Sequence, residues 1–338
     1  MWWCLSVGAP GLHIEGWLED WLVPSASPWA ARPPEEAKAY LRYASGFAVA
    51  SLAAGYVLMW RSVRPWVWAT VAGLTPAALM VSAYATLRSL EPSFAWSAAG
   101  LGLAAVYVGM AARLRSVAGD DEAPRLALGV VGMAACASAA LALGFVLRDA
   151  WLSASLAALL AATGYISRQL TLPQLRWPAM VLAGAVLVRL SLNHYILDYD
   201  DQAWLGRWWV IYGYGLPLAM FHLALLKFQD EGTRGDLLSK LLQGGRIPLA
   251  VMLVSAIIRV GVASNLDAPH FTLLEAGLQA TSWLVSATAC WWRFVQRGGL
   301  IDLWAGRVLA TMGVGLVGLC LVSGLNPLLD RQMVGYWP

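Results

Sequence analysis

The feature that most constrains this chain is a series of long apolar stretches separated by short polar connections. An α-helix needs about 20 predominantly apolar residues to cross a bilayer, and ten stretches of the chain approach that length. Ala, Gly, Leu and Val dominate them without period-two alternation, which favours helices over barrel strands. The predicted spans are 43–60, 66–87, 93–112, 126–147, 150–167, 177–195, 208–227, 247–264, 271–292 and 303–325.

Composition excludes the other broad classes of protein. Of 338 residues, 59% are apolar and 13% are charged, against about 25% charged in an ordinary soluble domain. A disordered chain would be more polar, a disulfide scaffold would have more than four cysteines, and a nucleic-acid-binding module would exceed the net charge of +3. We therefore predict an all-α, polytopic transmembrane helical bundle of about ten spans with no nucleic-acid partner.

The N-terminal region differs from the rest of the chain. Acidic and aromatic residues interleave over 15–22, which is typical of an amphipathic helix lying on a membrane surface. Prolines recur over 24–34 and predict an irregular approach to the first span. We therefore expect an interfacial and irregular segment over 1–42, followed by a single multi-span membrane domain over 43–338.

The distribution of Lys and Arg predicts the orientation of the spans. Thirteen Lys and Arg residues lie in the connections after odd-numbered spans, whereas four lie in those after even-numbered spans. The three that precede the first span lie on the same side as these four, which makes seven. Because cytoplasmic loops carry the excess of Lys and Arg, the odd-numbered connections are predicted to be cytoplasmic. Both termini are then predicted to lie on the outer, periplasmic side.

A stripe of polar residues runs along the ninth predicted span. Glu275, Gln279, Ser282 and Ser286 occur at i, i+4, i+7 and i+11, and so share one face of a helix. A membrane helix does not direct such a stripe toward lipid, so it is predicted to face protein or water.

Other ionisable residues lie inside the sixth, seventh and eighth predicted spans, where each costs a few kcal/mol unless it is partnered. Arg189 shares a helix face with Asn193, and Arg259 and His222 lie on two other spans. Glu275 is expected to pair with Arg189 or Arg259. One interpretation is an outward-facing pocket whose surplus positive charge suits an anionic group; the other is a structural salt bridge between helices.

The connection after the sixth span is rich in carboxylates. Asp198, Asp200 and Asp201 could hold a hard cation, and His194 and His270 flank the same predicted surface as acid–base candidates. The spacing matches no defined metal site, so a solvated external loop is the simpler interpretation. No metal and no cofactor are expected.

A glycine pattern in the last span imitates a nucleotide-binding loop. Gly313, Gly315 and Gly318 match G-x-G-x-x-G, but they lie in mid-span without the preceding strand that a dinucleotide site requires. They are better interpreted as a small-residue face for helix packing.

Several short motifs together resemble a known family. They are Thr75-Pro76-Ala, Pro173-Gln-Leu-Arg176-Trp177, Val188-Arg189-Leu-Ser-Leu-Asn193, Tyr212-Gly-Tyr-Gly-Leu-Pro217, the Arg259 region, Thr272-Leu-Leu-Glu275 and Thr281-Ser-Trp-Leu284. Over most of 43–338 the chain resembles a bacterial family of predicted membrane proteins, the domain of unknown function 2339.

The resemblance implies a multi-span protein of the bacterial inner membrane. It also implies a longer parent protein, of which this chain would be a truncated or fragmentary member. No activity comes with the family. By matching motifs, Arg189, Asn193, Arg259 and Glu275 are the residues most worth testing.

Three functions are compatible with these observations. The first is a non-catalytic, envelope-associated scaffold or assembly component, with the lipid bilayer and other envelope membrane proteins as partners. The second is a transporter-like protein whose pocket, formed by Arg189, Asn193, Arg259, Glu275 and Gln279, takes an anionic metabolite or lipid headgroup. The third is a membrane-embedded transferase of envelope lipid or polysaccharide, which needs a carboxylate and a histidine in one cavity. The scaffold ranks first and the enzyme last.

Overall fold

The fold is known from a computed structural model that describes residues 34–88, 92–118, 121–192, 208–228, 236–263 and 272–322. Over these ranges the chain is helical apart from short connections, and the described backbone contains no strand. This agrees with the predicted all-α class.

Ten α-helices make up the described part of the chain, and each overlaps one of the predicted spans. A short 3₁₀ turn at Pro173–Leu175 precedes the sixth. The helices are α1 (Pro34–Arg61), α2 (Pro65–Arg88), α3 (Phe94–Ala118), α4 (Glu122–Val146), α5 (Asp149–Leu170), α6 (Arg176–Leu192), α7 (Trp209–Phe228), α8 (Leu237–Ala263), α9 (Leu273–Arg297) and α10 (Leu300–Val322).

Eight of these helices are long and apolar enough to cross a membrane. The two that do not qualify are α6 and α9. Helix α6 has 17 residues, fewer than the roughly 20 that span the hydrocarbon. Helix α9 has 25 residues but carries charged and amide side chains among its apolar ones. The structure thus supports a multi-span membrane protein. The number of ten spans and their orientation stay predictions.

Two helices begin nine or more residues before their predicted spans. Helix α1 begins at Pro34, inside the segment predicted to be irregular, because proline is compatible with the first turn of a helix. Helix α8 begins at Leu237, ten residues before the predicted start at 247. Asp236 initiates α8, since its Oδ1 accepts a hydrogen bond from the Leu237 amide at 2.7 Å. Arg246, which the predicted spans leave in a connection, therefore lies within a helix.

The buried side chains form two main cores. Helices α1 to α4 enclose the first, whose largest fully buried side chain is Tyr107. Its hydroxyl donates to the Ala72 carbonyl at 2.8 Å, so this buried polar group is satisfied. Helices α5 to α8 enclose the second core around Trp209 and Phe221.

Helices α9 and α10 form a tight hairpin with a small core of its own, built from Ala287, Cys290 and Leu309. Gly298 ends α9 with a positive φ of 68°, a conformation that favours glycine. The hairpin packs against α8, so the α8–α9 interface joins it to the second core.

Glycine allows α10 to approach α9 closely. A Cβ atom on Gly313 would lie 2.9 Å from Leu284 Cγ and 3.3 Å from the Ala280 carbonyl oxygen. The packing interpretation of Gly313 is therefore confirmed. Gly315 and Gly318 are exposed, and a Cβ atom added to either would meet nothing within 4 Å. The packing interpretation is wrong for these two glycines, because they lie on the outward face of α10.

Candidate functional site

The candidate site lies where the end of α8 meets the beginning of α9. Arg259 Nη1 donates to Glu275 Oε2 across 2.6 Å, and the two side chains are 8% and 1% exposed. Thr272 positions the carboxylate by capping α9, because its hydroxyl accepts a hydrogen bond from the Glu275 amide at 3.2 Å. The sequence places Glu275 in the first turn, where the helix dipole favours a negative charge.

The contact continues along both helices. One turn further along α9, Gln279 Nε2 donates to the Ser255 carbonyl at 2.8 Å. Another turn on, Trp283 Nε1 donates to the Ser255 hydroxyl at 3.0 Å. Side chains four residues apart share a helix face, so Glu275, Gln279 and Trp283 on α9 meet Ser255 and Arg259 on α8. We refer to these five residues as the α8–α9 seam.

Electrostatics make the ion pair the dominant contact of the seam. A single charged side chain costs at least a few kcal/mol in the hydrocarbon. Arg259 and Glu275 cancel each other's charge and share a charge-assisted hydrogen bond, which is stronger than a neutral one. Removing Arg259 would leave the buried Glu275 carboxylate without its ion-pair partner among the described residues.

Two acceptor atoms in the seam are not satisfied by the described protein atoms. Glu275 Oε1 and Gln279 Oε1 are buried, and neither accepts a hydrogen bond from any described residue. Both are oxygen acceptors on adjacent turns of one helix face. Such a pair calls for a hydrogen-bond donor, as a buried water molecule would supply, and does not suit an anion.

The predicted polar stripe of α9 faces protein. Glu275 and Gln279 are buried, whereas Ser282 and Ser286 are half-buried. The Ser282 hydroxyl donates to the Gln279 carbonyl at 2.8 Å, so it is satisfied within its own helix.

The remaining predicted pocket residues are less informative. Arg189 is half-buried near the end of α6, and the ion pair of Glu275 is with Arg259. Asn193 lies outside the described residues. So do all the candidates for a cation or acid–base site, which are His194, Asp198, Asp200, Asp201 and His270.

Sequence reasoning missed two members of the seam. Ser255 and Trp283 carry polar groups that are common in membrane helices, and nothing in their spacing distinguishes them from lipid-facing or interfacial residues. Only their spacing from predicted site residues could have identified them, because Ser255 lies four residues from Arg259 and Trp283 lies four residues from Gln279.

Comparison with known proteins bears on the family. No curated protein and no solved structure gives a significant match to the chain. One family, described as Predicted membrane protein (DUF2339), matches residues 21–338. The match covers nearly the whole chain and confirms the resemblance found in its motifs. The chain therefore belongs to the DUF2339 family of predicted membrane proteins.

Proposed function

We propose that this protein is a non-catalytic scaffold or assembly component of the bacterial inner membrane. In this proposal it crosses the membrane ten times with both termini on the periplasmic side. Its partners are the lipid bilayer and other membrane proteins of the envelope. The buried polar residues hold its helices together and bind no substrate.

One observation carries the proposal: Arg259 and Glu275 bond to each other and are shielded from solvent. The bonded atoms lie 2.6 Å apart, and the two side chains are almost wholly buried. A binding or catalytic carboxylate must reach its ligand, whereas this one meets an arginine of the neighbouring helix. The charges of Arg259 and Glu275 are thus used between helices.

The seam also explains how α9 can belong to the membrane in spite of its composition. A helix with polar groups is stable in the bilayer when those groups face protein. Glu275 and Gln279 face α8 inside the protein, while Leu274, Leu278 and Val285 are exposed on the other side of α9. This segregation supports counting α9 among the spans.

The pocket for an anionic ligand is the second candidate. The observation in its favour is that Glu275 Oε1 and Gln279 Oε1 are buried without a protein donor among the described residues. Because both are acceptors, they would repel an anion, so this observation supports a bound water more than an anionic ligand. The transferase would need residues that lie outside the described ranges, and no described contact favours it.

Native mass spectrometry of the detergent-purified chain tests the proposal. The ion pair of the seam is replaced by apolar residues of similar size in Arg259→Leu/Glu275→Leu, which removes both charges of the pair together. We expect the variant to retain every non-covalently bound mass that the wild type carries. The matched control is Arg176→Gln/Asp236→Asn, which removes an ion pair from a partly exposed position.

A bound mass that is lost from the seam variant but kept by the control would overturn the proposal and identify a ligand site. A second measurement addresses assembly directly. On a native gel of mildly solubilised membranes we expect the 36.4 kDa chain in complexes with other proteins. Migration of the whole population as a monomer would also contradict the scaffold.

A further inference from the structure

A second charged cluster lies at the opposite end of α8 and α9 from the seam. It contains Arg246 on α8, Arg293 and Arg297 near the end of α9, and Asp302 in the first turn of α10. His222 on α7 joins it, since Arg246 Nη1 lies 2.7 Å from His222 Nδ1. We refer to these five residues as the basic cluster.

The hydrogen bond between Arg246 and His222 fixes the roles of both groups. Arginine has only donors, so the guanidinium donates and the imidazole Nδ1 accepts. The His222 ring therefore adds no positive charge while it holds this bond. Its side chain is exposed, whereas Arg246 is half-buried.

The cluster holds more positive charge than its one carboxylate can balance. Asp302 is fully buried, and its Oδ1 lies 3.3 Å from Arg293 Nη2. Arg246 is repelled by the charges of Arg293 and Arg297 and attracted by that of Asp302. The cluster thus contains three guanidinium groups and one carboxylate, an excess of two positive charges among its described residues. Like charges held together at a half-buried position are stabilised by an anion.

Aromatic side chains place this cluster at a membrane–water interface. Trp291 and Trp292, which precede Arg293, are 52% and 65% exposed, and Trp304, two residues after Asp302, is 60% exposed. Tryptophan collects at the level of the lipid headgroups. The anion that reaches such a position most readily is the phosphate of a lipid headgroup.

We propose that the basic cluster binds the phosphate of an anionic phospholipid. Arg293 and Arg297 supply accessible guanidinium donors, which match phosphate oxygens in geometry and charge. Arg246 supplies charge from behind, and Asp302 keeps Arg293 in place without neutralising the site. Basic sites between membrane helices are a recurrent means of binding such headgroups. In the predicted orientation this is a lipid of the cytoplasmic leaflet.

Lipid titration of the 338-residue chain, followed by native mass spectrometry, tests the proposal. The protein in neutral detergent is titrated with phosphatidylglycerol or with phosphatidylcholine of identical acyl chains. We expect preferential binding of phosphatidylglycerol. An arginine that contacts the headgroup contributes about 1 kcal/mol, so Arg297→Gln should weaken the binding about fivefold. The matched control Arg115→Gln removes an exposed arginine from the end of α3 and should leave the binding unchanged.

Arg293→Gln is expected to weaken binding further, but it also leaves Asp302 buried without its ion pair. Arg293→Gln/Asp302→Asn removes both charges and separates lost binding from lost folding. The combination Arg293→Gln/Asp302→Asn/Arg297→Gln should bind the two lipids equally. An equal affinity of the wild type for both lipids would overturn the proposal, and so would an equal loss in the Arg115→Gln control.

Competition with soluble glycerol phosphate shows whether the site binds the phosphate of a lipid headgroup or that of a soluble phosphate ester. If the lipid is the ligand, millimolar glycerol phosphate leaves bound phosphatidylglycerol in place. Displacement of the lipid by glycerol phosphate would assign the site to a soluble phosphate ester and contradict the lipid. The seam variant Arg259→Leu/Glu275→Leu should bind phosphatidylglycerol normally, which keeps this test independent of the proposed scaffold function.

Discussion

The indole of Trp283 donates a hydrogen bond to the hydroxyl of Ser255, 3.0 Å away on the neighbouring helix. The carbonyl of the same serine accepts from Gln279, so Ser255 receives two side chains of α9 at once. Together with the Arg259–Glu275 pair, these bonds hold the α9–α10 hairpin to the rest of the bundle. Mutations can therefore measure separately how much the Ser255 hydroxyl and the ion pair each contribute to the stability of the seam.

Ser255→Ala should destabilise the protein modestly. It removes the bond from Trp283 but keeps the backbone acceptor of Gln279, and an interhelical hydrogen bond in a membrane contributes about 0.6 kcal/mol. Thermal unfolding in detergent, followed by circular dichroism, measures the change. Ser116→Ala is the control, because that exposed hydroxyl bonds to the Arg113 carbonyl of its own helix. Equal effects of the two changes on stability would contradict a stabilising hydrogen bond between Trp283 and Ser255.

Glu275→Gln should destabilise the protein far more, by about 3 kcal/mol, because it breaks the buried ion pair with Arg259. Guanidinium unfolding or heat inactivation in detergent reports the loss. The double change Arg259→Leu/Glu275→Leu should recover most of it, since an apolar pair needs no compensation. Glu122→Gln, at an exposed position at the start of α4, supplies the same charge change at a solvated site. If it were as costly as Glu275→Gln, burial of the pair could not be the cause.

The ion pair between Arg176 and Asp236 should contribute much less than the buried pair. Its atoms lie 2.9 Å apart, but its side chains are 21% and 36% exposed. Water screens such a pair, so Arg176→Gln should cost no more than about 1 kcal/mol. The comparison uses the same unfolding assay as Glu275→Gln. A cost similar to that of the buried pair would contradict the ranking of the two contacts by burial.

Gly313→Ala should loosen the α9–α10 hairpin. The added methyl group would meet Leu284 Cγ at 2.9 Å and the Ala280 carbonyl oxygen at 3.3 Å, and overpacking of this kind costs about 1–3 kcal/mol. Gly315→Ala on the same helix is the matched control, because its Cβ meets nothing within 4 Å. We expect that control to be neutral or slightly stabilising, since alanine favours helix more than glycine does. A loss of stability in both variants would refute the close contact at Gly313.

The proposed orientation can be tested by cysteine labelling. In a chain whose four native cysteines are replaced by alanine, Ser116→Cys at the end of α3 should be protected from a membrane-impermeant maleimide in intact cells and become reactive after lysis. The cysteine-free parent chain supplies the unlabelled background. Labelling of position 116 in intact cells would reverse the orientation and place both termini in the cytoplasm.

Much of the fold could be predicted from the sequence because the bilayer imposes a strict local requirement. Backbone polar groups must be satisfied within each segment, so long apolar runs become helices wherever they occur. The ten helices accordingly lie at the ten predicted spans. The predicted starts of α1 and α8 were less accurate, because Pro34 and Asp236 begin helices in residues too polar to be counted with the apolar runs.

The partners of the polar residues could not be predicted in the same way. Spacing placed Glu275 and Gln279 on one helix face, but two arginines were equally available to the carboxylate. Which of them contacts Glu275 depends on how α6 and α8 each pack against α9, and that is a property of the whole bundle. The same limitation applies to Asp302, which directly precedes the tenth predicted span and is fully buried beside Arg293.

Hydrophobicity and helical periodicity are local properties that can be read from neighbouring residues. They were sufficient to predict a multi-span helical membrane protein and to identify residues that could not face lipid, while short motifs carried the resemblance to the DUF2339 family. The packing of the helices was needed to show that Glu275 pairs with Arg259 and that Ser255 and Trp283 complete the seam. It was also needed to show that Arg293 pairs with the buried Asp302 at the other end of the hairpin. Those contacts join residues on different helices, and their distances follow from packing rather than from spacing along the chain.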